Sequence, residues 1–152
     1  MLFTMRLTPV PFEKMRSGEK TIELRLYDKK RRAIAVGDRI EFVNLGNPEE
    51  MLLTQVIGIY PFKSFVQLYS KLPLLECGYS SDELKTASPK DMEQFYTAED
   101  QEKYGVVGIQ IKLLEHYPLD ETFYHPGQPT RPTEFCFTGK KEKDIIIEPP
   151  SH

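Results

Sequence analysis

The sequence predicts an α+β domain, and three observations carry that prediction. Alternating or β-branched runs recur near residues 2–7, 21–26, 39–44, 51–60 and 106–114, the period-two pattern of half-buried strands. Helical spacing appears instead at Phe65, Leu68, Tyr69 and Leu72 and in the stretch after Thr8-Pro9. A chain of 152 residues, 39% hydrophobic and 28% charged, is long enough for one domain to bury its own core without metal or disulfide staples.

Each element follows from local chemistry. After the first strand, Thr8 and Pro9 form a helix start, because proline is tolerated where the amide lacks an intrahelical partner, and Gly18 closes that helix. A strand begins at Thr21. The run Tyr27-Asp28-Lys29-Lys30-Arg31-Arg32 is too polar for a core and reads as a surface turn or short helix. Gly37-Asp38 turns the chain into a strand over 39–44, and Gly46-Asn47-Pro48 links it to the Val/Ile/Leu-rich strand 51–60. Ser64 is placed to cap the helix of 63–72. Residues 76–104 read as short helices broken at Gly78 and Ser88-Pro89, and 106–114 as the closing strand. Beyond residue 114 the composition shifts: six of the 12 prolines fall in the last 38 residues. The expected division is therefore a domain over 1–114 and a proline-rich extension over 115–152, in which Ile145, Ile146 and Ile147 have the β-branched character of an edge strand.

Charge is uneven. The whole chain carries −3, which argues against a blanket nucleic-acid binder. Residues 13–39 hold nine basic against five acidic side chains, whereas 76–102 hold eight acids against two lysines. No apolar run approaches a membrane span, and the N-terminus has no basic head followed by a long apolar segment, so neither a membrane nor a secretory route is expected. The two cysteines, Cys77 and Cys136, are far apart and lie in no paired motif, which suits reduced thiols in a cytoplasmic setting. His116, His125 and His152 stand at no metal-ligand spacing with them, and no glycine-rich phosphate loop is present. Neither a metal nor a cofactor is expected.

The segment that invites a functional reading is Gly18-Glu19-Lys20-Thr21-Ile22-Glu23-Leu24-Arg25. On a strand, Ile22, Leu24 and Leu26 share one face and Thr21, Glu23 and Arg25 the other, with Glu23 and Arg25 about 6.5 Å apart. That polar face is either the solvated side of an antiparallel strand or the lining of a polar ligand site. If it lines a site, Lys20 and Arg25 suit a phosphate or oxyanion, and Glu23 suits hydrogen bonds from a base edge or an ordered water. Aromatic residues near basic groups can stack bases; Tyr27, beside the basic run, is preferred over Tyr60, Phe62 and Phe65, the last two being expected in the core. Arg31 and Arg32 are placed to contact phosphate.

The spacing Gly18-x-Lys20-x-x-Glu23-x-Arg25 resembles the motif of the ASCH domain family, within the PUA-like superfamily. PFEKMRSGEKTIELRL, VGDRIEFVN, VIGIYPFKSF and YGVVGIQI agree with it in order, over residues 2 to 114. The resemblance implies a PUA-like mixed β-barrel with helices at its rim, a cleft beside the motif lined by Lys20, Glu23 and Arg25, and RNA or nucleotide-like ligands, with a role in RNA metabolism or translation-linked regulation. A hydrolase branch of the family removes acyl groups from N4-acylated cytidine and has a threonine three residues after its lysine. Here Glu23 holds that place. An amidohydrolase on this chain would therefore use Lys20 and Glu23 with water, with Thr21 and a late acid such as Glu99 or Glu102 as weaker candidates.

Overall fold

The structure is a computed structural model that describes residues 1–118. The extension beyond residue 118, with its expected edge strand at Ile145–Ile147 and with His125, Cys136 and His152, lies outside the described residues.

Five strands, β1 (Leu2–Leu7), β2 (Ile22–Leu26), β3 (Arg39–Asn44), β4 (Asn47–Phe62) and β5 (Val106–Tyr117), form one mixed sheet in the order β1-β3-β4-β5-β2. β1 runs parallel to β3, and every other pairing is antiparallel. The sheet curls into a half-barrel, an α+β arrangement of the PUA-like type. β4 is longer than the predicted 51–60, because the hairpin turns at Leu45-Gly46 and pairing resumes at once, Asn44 opposite Asn47. β5 likewise runs three residues past the expected boundary at 114, paired with Met51, Leu52 and Leu53 of β4.

Helices sit at the rim: α1 (Pro9–Arg16), α2 (Lys29–Arg32), α3 (Phe65–Lys71) and α4 (Ala98–Tyr104), with two 3-10 turns at Glu83–Thr86 and Pro89–Gln94. Their starts obey the capping chemistry in the sequence. Asp28, Ser64 and Thr97 each accept a backbone N–H of the helix they open. Two apolar clusters divide the interior. One fills the half-barrel with Met5, Leu7, Phe12, Met15, Ile40, Phe42, Val107 and Ile109. The other lies on the opposite side of β2, where Ile22, Leu24 and Leu26 meet Phe65, Leu68, Met92 and Tyr96. Between the edge strands β1 and β2 the sheet does not close, and that seam is where the charged motif lies.

Candidate functional site

β2 has the expected pleat, but all five of its residues are buried. Glu23 and Arg25 stand opposite Ile109 and Val107 of β5, so their face points into the half-barrel rather than into solvent. The side chains of Lys20 and Arg25 are 0% exposed and that of Glu23 is 1% exposed. This corrects the expectation that the three line an open cleft. A second apolar layer covers one face of the strand and the barrel interior covers the other.

Inside, the charges satisfy one another. Arg25 Nε donates to Glu23 Oε2 at 2.8 Å, and Lys20 Nζ lies 3.2 Å from Glu23 Oε1. Arg25 also donates through Nη2 to the Arg6 carbonyl at 2.8 Å, a side-chain bridge from β2 to β1 across the seam. Burial works against the Arg25 charge, but the Glu23 carboxylate outweighs it and holds the guanidinium above its usual pKa. Lys20 Nζ donates to the Cys77 carbonyl at 2.9 Å. Two backbone amides, of Thr21 and Ile22, donate to the Glu76 carbonyl, and the Thr21 hydroxyl donates to the Glu76 carboxylate at 3.0 Å. The motif thus ties together β1, β2 and the loop that opens the acidic middle segment. Burial pushes the Cys77 thiol beside it up to about 11, leaving it protonated and inert at neutral pH.

Arg31 is also buried, 6% exposed, and donates to Asp28 at 2.6 Å; burial first, then the nearby Arg25 charge, lowers its pKa. Glu99 is exposed on α4. Phe65 is core, as expected, and Phe62 packs partly buried against the same cluster while also lining a cleft.

Tyr27, Arg32 and Glu102 come together elsewhere. The Tyr27 amide donates to the Gly105 carbonyl at 3.0 Å, and Phe62 and Leu26 both pair with Val106. These contacts bring the end of β2, the end of β4 and the start of β5 into one row, flanked by α2 and α4. The resulting cleft, about 650 Å³, is lined by Tyr27, Arg32, Phe62, Lys63, Lys103 and Tyr104, together with Pro61, Gln67, Glu102 and Gly105. Lys20, Glu23 and Arg25 do not line it. Arg32 lies over the Tyr27 ring at 4.3 Å and donates to the Tyr104 carbonyl at 2.9 Å, and Lys103 Nζ lies 5.0 Å from the centre of the Tyr104 ring. The cleft therefore offers two aromatic rings, each with a cation on one face, and three cations against one acid. Sequence reasoning missed Lys63, Lys103 and Tyr104. Their only signal is the pairing of β4 with β5, which brings distant element ends side by side.

The ASCH domain family model matches residues 5–115. The chain belongs to the ASCH domain family. Among solved structures, this ASCH chain is similar to the hypothetical protein PH0355, at 36% identity and a TM-score of 0.61, over 75% of this chain and 100% of that one. It is also similar to protein PF0455 from Pyrococcus furiosus, at 34% identity and a TM-score of 0.57, over 76% and 99%. The ASCH protein from Zymomonas mobilis shares the fold at 16% identity and a TM-score of 0.51, over 84% and 83%. No curated protein matches the chain. Among the described residues no helix is long and apolar enough to cross a membrane, and no group of three or more His, Cys, Asp or Glu could hold a metal.

Proposed function

We propose that this ASCH domain is a binding module for single-stranded RNA or a nucleotide-like ligand, acting in RNA metabolism or translation-linked regulation. The observation that carries the reading is the cleft between β2, β4, α2 and α4, where Tyr27 and Tyr104 are accompanied by Arg32, Lys63 and Lys103. Stacking on an aromatic ring is sequence-tolerant and is worth about 1–3 kcal/mol per base, and neighbouring cations neutralise the phosphates between bases. The formal charge of −3 does not oppose this, because the cations are concentrated locally. The buried Lys20–Glu23–Arg25 network serves the site from behind: it fixes β2, whose last residue, Leu26, directly precedes Tyr27.

An amidohydrolase built on Lys20 and Glu23 would need both heads freed from their present partners, and no observation favours it. The test is binding of a short single-stranded RNA at two salt concentrations, by wild type and by the Arg32→Ala/Lys103→Ala variant. Binding that weakens with salt in the wild type and is largely lost in the variant supports the proposal. Absence of binding, or binding indifferent to both salt and substitution, sinks it.

A further inference from the structure

Glu102 is the one acidic side chain lining a cleft whose other charged groups are cations. Among the described residues its carboxylate takes part in no hydrogen bond or ion pair. The helix that carries it is held in place: the Thr97 hydroxyl accepts the Asp100 backbone N–H at 3.1 Å, and Gln101 donates through its side-chain Nε2 to the Tyr96 carbonyl at 3.3 Å. A carboxylate in that position repels phosphate, so it detracts from a cleft that grips only a backbone. It can, however, accept hydrogen bonds from a base.

The four bases differ in what they offer a carboxylate. The Watson–Crick edge of guanine presents N1–H and the N2 amino group side by side, two donors that match two carboxylate oxygens. Adenine and cytosine each pair one amino donor with an acceptor nitrogen, which the carboxylate repels. Uracil has one N–H between two carbonyl oxygens. Single-stranded RNA exposes these edges while its bases stack on aromatic rings. We infer that Glu102 reads an unpaired guanine held in the cleft, making the site selective for guanine in single-stranded RNA. The assignment rests on the RNA-binding reading of the same cleft.

The experiment is fluorescence anisotropy of the full chain with hexauridylate and with the same oligonucleotide carrying one central guanosine, adenosine or inosine. Wild type should bind the guanosine oligonucleotide about tenfold more tightly than the adenosine one, the discrimination expected of a good bidentate pair. Inosine, which lacks the N2 amino group, should fall toward the uridine level. In Glu102→Gln, whose exposed position leaves folding intact as checked by circular dichroism, the guanosine-to-adenosine ratio should collapse to about one. Equal binding of all four oligonucleotides by wild type, or a guanosine preference that survives in Glu102→Gln, overturns the guanine assignment while leaving RNA binding intact. Failure of wild type to bind any of them overturns the binding module and the guanine assignment together.

Discussion

The motif network and the cleft are built from the same kinds of side chain, yet they do opposite things. Lys20, Glu23 and Arg25 are sealed and spend their hydrogen-bonding capacity on one another, on Cys77 and on Arg6. Lys63, Lys103 and Glu102 stand exposed around a concave surface, with aromatic rings between them. The difference teaches that a conspicuous charged motif can be an internal fastening, and that ligand-ready groups can gather from segments that look ordinary one by one. Buried charges are expensive unless paired, so the network stakes stability on its own completeness. Exposed ones contribute little to the fold and are available for recognition.

The comparison can be broken most sharply at Glu23. Its removal in Glu23→Ala leaves Lys20 and Arg25 buried without their shared counter-ion, and should lower the urea-unfolding free energy by about 3–5 kcal/mol. A loss below about 1 kcal/mol would mean that the network is not a fastening. Gly105 joins α4 to β5 at φ +75°, ψ −175°, and a Cβ there would meet the Phe62 carbonyl at 3.0 Å. Gly105→Ala should therefore cost about 1–3 kcal/mol of stability in the same assay, and disturb the cleft as well. Arg32→Ala and Lys103→Ala each should lower the log–log salt slope of RNA binding by about one while shifting stability by less than about 1 kcal/mol. Unchanged slopes would take the phosphate role away from the cleft.

The smallest effect concerns Glu83. Its carboxylate accepts the Ser80 amide and the Lys14 ammonium, and these contacts, the Ser80 one first, hold its pKa down at about 2 against an ordinary 4.5. A depressed carboxylate stabilises the fold above its unfolded pKa and loses that contribution as pH falls through the folded one. The stability gap between wild type and Glu83→Gln should hence shrink between about pH 4.5 and about pH 2. Because the side chain is 54% exposed, the gap at neutral pH should stay below about 1 kcal/mol. A gap that does not change over this range would show that those hydrogen bonds are too weak to matter in solution.

Much of the fold was legible because local chemistry decides it. Ser64 announces a helix start by its side-chain oxygen, Gly18 and Gly37 take the positive φ their turns need, and the alternation of Ile22, Leu24 and Leu26 fixes the pleat of β2. What alternation cannot say is whether the other face is wet. Glu23 and Arg25 read the same whether solvent or the half-barrel core lies beyond them, since only tertiary packing supplies the second cover. Tyr27 and Arg32, which line the cleft, could be singled out in the sequence because they sit close together with an aromatic and cationic character. Lys63, Lys103 and Tyr104 could not, because they reach the cleft only through the pairing of Phe62 with Val106.

The bridge from Arg25 to the Arg6 carbonyl also bears on the edges of the sheet. β1 and β2 are the two edges of the sheet, and β2 is an apolar-rich strand with every residue covered. Uncovered edge strands recruit strands from neighbouring copies. By spanning the open seam with a side chain, the protein ties a backbone carbonyl of the β1 edge to β2 without a sixth strand. A chain that loses the bridge should therefore show concentration-dependent self-association under conditions where most of its secondary structure is still present.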